Sequence, residues 1–242
     1  MSGHSKWNNI KHKKEKSDAA KAKIFTKIGK EMAVAIKAGG PDPNVNSKLR
    51  DLIAKAKANN VPNENIQRTI KKFSDNSDIN YEEITYEGYG PSGVAVIVET
   101  ATDNRNRTAG NVRAWFNKYG GNMGQNGCVA YLFEEKGVIT IIDEDDEIDE
   151  DKIMEDALEC GAEDIKCDDG EYTIYTATSD FDAVREAVLA LGYKIETADL
   201  AKVPSTYITL ESEEDIENME KMLDKFNEDD DVNAVYTNWD NK

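Results

Sequence analysis

The chain has 242 residues, 39% of them apolar, enough for two or three small packed cores. Its longest aliphatic run, Val94-Ala95-Val96-Ile97-Val98, is far too short to cross a bilayer, and Met1 to Trp7 hold no apolar stretch of signal-peptide type. Forty-eight acidic against thirty basic side chains give a net charge of −18, which would argue against a polyanionic partner if the charge were spread evenly. It is not. Residues 1–73 carry fifteen Lys and two Arg against six Asp/Glu, a net of +11, and the remainder is at −29. A basic front module on an acidic, self-repelling body reads as a nucleic-acid contact surface on a soluble scaffold.

In chain order, residues 1–16 are polar and Lys-rich, with Trp7 and Ile10 as their large apolar side chains. They bury too little to offset ordering entropy, so a mobile arm is expected. A helix capped by Ser17 follows, with Ile24, Phe25, Ile28, Met32 and Ile36 as its apolar stripe and Gly39-Gly40-Pro41 as its end. At 100° per residue, Lys23, Lys27, Lys30 and Lys37 fall on the opposite face. A second helix, about 47–59, turns Leu49, Leu52, Ile53 and Ala56 inward. A third opens at Pro62 and Asn63 with Ile66, Ile70 and Phe73 inward.

Beyond the polar linker at 75–78 the pattern changes to alternating strands and helices. Strands are expected at 94–101 and 129–134, around a helix at about 105–119. The run from 137 to 201 reads strand, helix, strand, strand, helix, strand, the ferredoxin-like order. A strand at 206–210, a helix at 212–226 and a strand at 232–237 close the chain, and residues 84–89 are expected to edge the outer sheet. The fold class is therefore multi-domain α+β: an N-terminal three-helix bundle followed by two ferredoxin-like α+β domains, one inserted in the other. The expected domains are 1–76, then 80–134 with 204–240, and 135–203 as the insertion.

The arm carries the strongest chemical signal. Lys6, Lys11, His12, Lys13, Lys14 and Lys16 flank Trp7. Lysines neutralise phosphates and release counterions, and an indole stacks on exposed bases. A solvated tail is the plainer alternative, but like-charge clusters are costly without a partner. Lys23, Lys27 and Lys30 extend the candidate surface. Thr102-Asp103-Asn104-Arg105-Asn106-Arg107-Thr108 sits where a strand meets a helix. There Asp103 or Asn104 can cap, and Arg105, Arg107 and Arg113 either reach phosphate or base edges or serve as surface arginines paired to Glu99. The glycine-rich stretches 88–93 and 120–124 lack P-loop and dinucleotide spacing and read as tight turns and close backbone approaches.

An enzyme is not indicated. Both histidines, His4 and His12, lie in the arm, where a general base is hard to position. Cys128, Cys160 and Cys167 fit no zinc spacing and cannot all pair, which implies a reducing cytoplasm. The acidic run 143–151 lacks EF-hand spacing. No cofactor, metal, membrane or small-molecule substrate is expected.

The opening Gly3-His4-Ser5-Lys6-Trp7 with Asn9-Ile10-Lys11-His12-Lys13-Lys14 resembles the N-terminal signature of the YebC/PmpR family. Gly39-Gly40-Pro41-Asp42-Pro43, Asn60-Val61-Pro62, Tyr86-Glu87-Gly88-Tyr89-Gly90-Pro91, the 102–108 motif and Gly120-Gly121 with Gly124 and Gly127 extend the likeness over essentially the whole chain. Departures such as Lys48 for Arg and Cys128 for Ser are conservative. The resemblance implies a helical domain followed by two α+β domains in a cytoplasmic, non-enzymatic, DNA-binding regulator of transcription. The alternative it implies is a translation factor that binds ribosomal RNA or the ribosome and relieves stalling at proline-rich stretches. No helix-turn-helix or zinc finger is recognisable, which favours structured RNA or low-specificity binding.

Overall fold

The computed structural model describes residues 18–74, 80–143, 147–168 and 170–240. They form two compact units. One comprises the described residues up to Ala130 together with Leu210–Val235. The other comprises Tyr131–Thr209 and the chain from Tyr236.

The first unit begins with three helices, α1 (Asp18–Gly39), α2 (Ser47–Ala58) and α3 (Asn63–Ser74). The stripes expected from periodicity meet in one core of Ile28, Met32, Ala35, Ile36, Leu49, Leu52, Ala56, Val61 and Ile66, with Ile24, Phe25, Ile53, Ile70 and Phe73 half-buried around it. Each fully buried Leu or Ile contributes about 1.5–3 kcal/mol. Asn46 holds the α1–α2 corner. Its side chain accepts from the Leu49 amide as N-cap and donates to the carbonyls of Ala35 and Gly40. A Cβ at Gly39 would lie 2.9 Å from that side chain, so the corner closes only around glycine.

The same unit continues with β1 (Glu82–Tyr89), β2 (Ala95–Thr102), α4 (Arg105–Lys118) and β3 (Asn122–Met123), and resumes with α7 (Glu213–Glu228) and β9 (Val232–Thr237). The sheet order is β3-β1-β2-β9, with β1 antiparallel to both neighbours. Of residues 84–89, expected at the edge, Gly88 and Tyr89 are internal, paired on both sides, while Ile84–Glu87 pair with β2 alone and so edge the sheet. The two-residue β3 takes the edge beside Gly88 and Tyr89, and it is too short to show as a hydrophobic run. Phe116 of α4 and Phe226 of α7 meet over the sheet with ring centroids 5.2 Å apart.

The second unit holds β4 (Phe133–Ile142), α5 (Glu150–Glu159), β5 (Asp164–Asp168), β6 (Glu171–Thr176), α6 (Phe181–Ala190) and β7 (Ile195–Pro204), with sheet order β5-β6-β4-β7 and antiparallel neighbours throughout. This is the ferredoxin-like arrangement. Its core is Ile139, Ile141, Ile153, Ala157, Tyr172, Ile174, Phe181, Val184 and Val188. The strand expected at 129–134 is not formed as such: Ala130–Leu132 is a 3-10 turn, and β4 runs unbroken from Phe133 through Gly137. Gly137, expected to open a strand, lies inside β4 and serves a close approach, since a Cβ there would lie 2.3 Å from the Thr176 hydroxyl. A short parallel pair, β8 (Ile208–Thr209) with β10 (Trp239–Asp240), completes this unit.

Candidate nucleic-acid interface

Facing away from the helical core, the lysine row of α1 is hydrogen-bonded along its length. Lys23 Nζ donates to the carbonyl of Glu228, Lys27 Nζ to that of Asn227 at 3.2 Å, and Lys30 Nζ to that of Asp230 at 2.8 Å. The last carbonyls of a helix lack intrahelical donors and carry the negative end of its dipole, so the C-terminus of α7 is a natural seat for ammonium groups. Lys30 also pairs with Asp231 at 2.6 Å, and Lys37 donates to Asn80.

Asp231 is the centre of this arrangement. Only 4% exposed, it accepts from Lys30, from Arg107 at 2.6 Å, from the Thr108 hydroxyl at 2.8 Å and from the Thr102 hydroxyl at 3.2 Å. Burial by itself raises a carboxyl pKa. The donors from Lys30, Arg107 and Thr108 outweigh it and hold Asp231 at about 2. Arg107 in turn has its pKa raised by hydrogen bonds to Asp231 and Asp103. Around them lies an open cleft of about 350 Å³ lined by Lys30, Tyr81, Asp103, Arg107, Asp229, Asp230 and Asp231. With four aspartates against two cations it suits no phosphate. Among the described residues no His/Cys/Asp/Glu cluster has the geometry to hold a metal ion.

The 102–108 motif thus divides. Asn104 caps α4 by accepting from the Arg107 amide at 3.1 Å, and Thr102, Arg107 and Thr108 fasten Asp231. Arg105 and Arg113 are exposed and outside that network. Lys6, Trp7, Lys11, His12, Lys13, Lys14 and Lys16 lie outside the described residues. Sequence reasoning passed over two groups. One is Asp231, which no local spacing distinguishes within Glu228-Asp229-Asp230-Asp231. The other is a set of exposed cations, Arg50 and Lys57 on α2 with Arg68, Lys71 and Lys72 on α3. The helical wheel that turns Leu49 and Ile66 inward already pointed these outward.

The glycine-rich stretches act as backbone devices. A Cβ at Gly88 would lie 2.5 Å from the Asn122 carbonyl, and one at Gly121 would lie 2.4 Å from that of Tyr89, so β1 and β3 approach only through glycine. The following loop is pinned by Glu87, 5% exposed, whose carboxylate accepts from the amides of Gly127, Val129 and Ala130. Burial pushes its pKa up, but these three donors prevail and lower it.

The fold and site define an α+β protein whose basic helical module is tied through one buried aspartate to the start of α4 and the end of α7. The family model described as the TACO1/YebC protein N-terminal domain matches residues 5–76, and that for the TACO1/YebC second and third domain matches residues 81–239. The chain belongs to this family. It is 56% identical over 240 residues to a probable transcriptional regulatory protein of Acetivibrio thermocellus, covering 99% of each chain. It is also 56% identical over 241 residues to one of Agathobacter rectalis, covering 99% of this chain and 100% of that one. The crystal structure of a conserved hypothetical protein, Aq1575, from Aquifex aeolicus superposes with a TM-score of 0.81 at 42% identity, covering 92% of this chain and 91% of that one. Among the described residues no helix is long and apolar enough to cross a membrane.

Proposed function

We propose that this protein is a non-enzymatic, nucleic-acid-binding regulator of gene expression in the cytoplasm, and that its basic N-terminal part makes the phosphate contacts. One observation supports this reading above the rest. The outward faces of α2 and α3 carry exposed Arg50, Lys57, Arg68, Lys71 and Lys72, and these two helices hold only Asp51 and Glu64 as acids. The body beyond residue 73 is strongly acidic. A basic face on an acidic body repels phosphate everywhere except where it docks. The arm, from Lys6 to Lys16, continues the same charge. The relatives' names, probable transcriptional regulatory proteins, favour transcription and so DNA as the first reading's target.

A second reading, ribosomal RNA and translation, is favoured by the chemistry of the cations. Most are lysines, which act as point charges on phosphate rather than as forks on base edges. Crosslinking in cells followed by sequencing of the bound nucleic acid tests both: enrichment of promoter DNA supports the first, and of ribosomal RNA the second. Recovery of neither above the level of an acidic control protein refutes the proposal.

A further inference from the structure

Helix α4 sits on the sheet with Thr108, Val112 and Phe116 buried beneath it. One flank is taken by the α7 side, where Asn111 Nδ2 donates to Asp229 at 3.2 Å and Trp115 meets Phe226 edge-on at 5.9 Å. Among the described residues of this unit, none covers its outward face. Asn106, Gly110, Arg113 and Asn117, spaced by four, three and four residues, form one straight exposed stripe about 16 Å long.

Three features of this stripe point to a ligand. The first is charge. Between Asp103 and Glu134 the chain has no acidic residue, although everything beyond residue 73 averages strongly negative. Arg105 and Arg113 are exposed within that window. The second is Gly110. It lies mid-helix, where glycine costs about 1 kcal/mol relative to alanine. A Cβ there would meet nothing within 4 Å, so no packing or turn among the described residues calls for its absence. What a missing Cβ provides at this spot is close access to the helix from outside. The third is the lack of an apolar anchor. Among the described residues the large exposed hydrophobics are Val45, Tyr131, Met154, Leu158, Leu189, Leu191 and Leu200, none of them on α4. Protein partners are typically gripped by such anchors. Here the stripe offers two amides, each donor and acceptor, around one guanidinium fork.

We infer that the outward face of α4 is a second nucleic-acid contact surface, on which Arg113 takes a phosphate and Asn106 and Asn117 reach sugar hydroxyls or base edges across Gly110. This rests on the reading in the preceding subsection. It supplies what the lysine-rich helical part lacks, groups that discriminate what they touch. Amides facing a ribose 2′-hydroxyl would favour RNA over DNA of the same sequence.

The test uses the full chain with a labelled mixed-sequence RNA hairpin of about 30 nucleotides and its DNA counterpart. Gly110→Ala should raise the melting temperature by about 2 °C. Gly110→Gln keeps a helix-forming residue but fills the gap, and should weaken binding about tenfold without lowering the melting temperature, the size of one good bidentate contact. Arg113→Gln should reduce the salt slope on the hairpin by about 0.7–0.9, the share of one phosphate contact. The double variant Asn106→Ala/Asn117→Ala, both positions being exposed, should lose affinity with that slope unchanged. It also decides the matter if Gly110→Gln proves unstable. Wild-type affinity in the double variant overturns the inference. A change in self-association with RNA affinity intact assigns the face to protein contact and overturns it as well. If Gln at Arg50, Lys57, Arg68, Lys71 and Lys72 abolishes binding while the α4 variants bind normally, the parent reading stands and this one falls. If the unmodified protein binds neither probe, both fall.

Discussion

The lysine row of α1 and the cations of α2 and α3 are alike in composition and opposite in employment. Lys23, Lys27 and Lys30 are bound to the end of α7 and to Asp231. Arg50, Lys57, Arg68, Lys71 and Lys72 stand in solvent on the outer faces of their helices. The basic charge counted from a sequence is thus not the charge offered to a partner. Part of it holds the protein together, and only the remainder has counterions to release on binding.

The sharpest way to break this comparison is to remove the acceptor. Asp231→Ala leaves the Lys30 ammonium and the Arg107 guanidinium without their shared carboxylate and should cost about 3–5 kcal/mol of stability, read from urea unfolding. A loss below about 1 kcal/mol would show the network to be incidental. Replacing Arg50, Lys57, Arg68, Lys71 and Lys72 by Gln should leave stability nearly unchanged. It should remove a salt dependence worth about 500-fold in affinity for duplex DNA over a fourfold rise in salt, if all five meet phosphates. An unaltered slope would return the interface to the arm or to α4.

Acid separates the two groups more gently. The carboxyl of Asp231 is held at about 2 in the folded protein against an ordinary 3.8. Its contribution, about 2 kcal/mol, is fully present above the unfolded value and disappears as pH falls through the folded one. Unfolding followed from pH 5 down to pH 1.5 should show this loss, and Asp231→Asn should abolish that part of it. Smallest is the effect of Lys23→Gln with Lys27→Gln, about 1 kcal/mol of stability in total with little change in salt slope. A large drop in slope would mean that these lysines leave α7 to meet phosphate.

Helices were legible wherever an apolar stripe met a cap or a glycine stop, as at Asn46 and Gly39-Gly40. Strand pairing was less so. Residues 84–89 alternate like an edge strand, and nothing local tells that the two-residue strand Asn122–Met123 will cover Gly88 and Tyr89 at their end. Gly137 stood at the start of an expected strand, with no mark of the close approach that Thr176 imposes. At the site, periodicity placed the α1 lysines on the correct face of their helix but could not say what lies opposite that face. The same limit hid Asp231, one acid in an acidic run, until the end of α7 was seen against Lys30.

The distance along the chain between Lys30 and Asp231, 201 residues, has a bearing on how the protein is made. At about 5–20 residues per second, a ribosome that has finished α1 needs about 10–40 s to reach its acceptor. Throughout that interval the lysine row has neither α7 nor Asp231, and the first sheet lacks β9. The emerging chain is then more basic at its surface than the finished protein will ever be, and it is held beside the most concentrated source of phosphate in the cell. Completion of α7 and Asp231 ends that exposure, so the last elements translated set the final charge of the first.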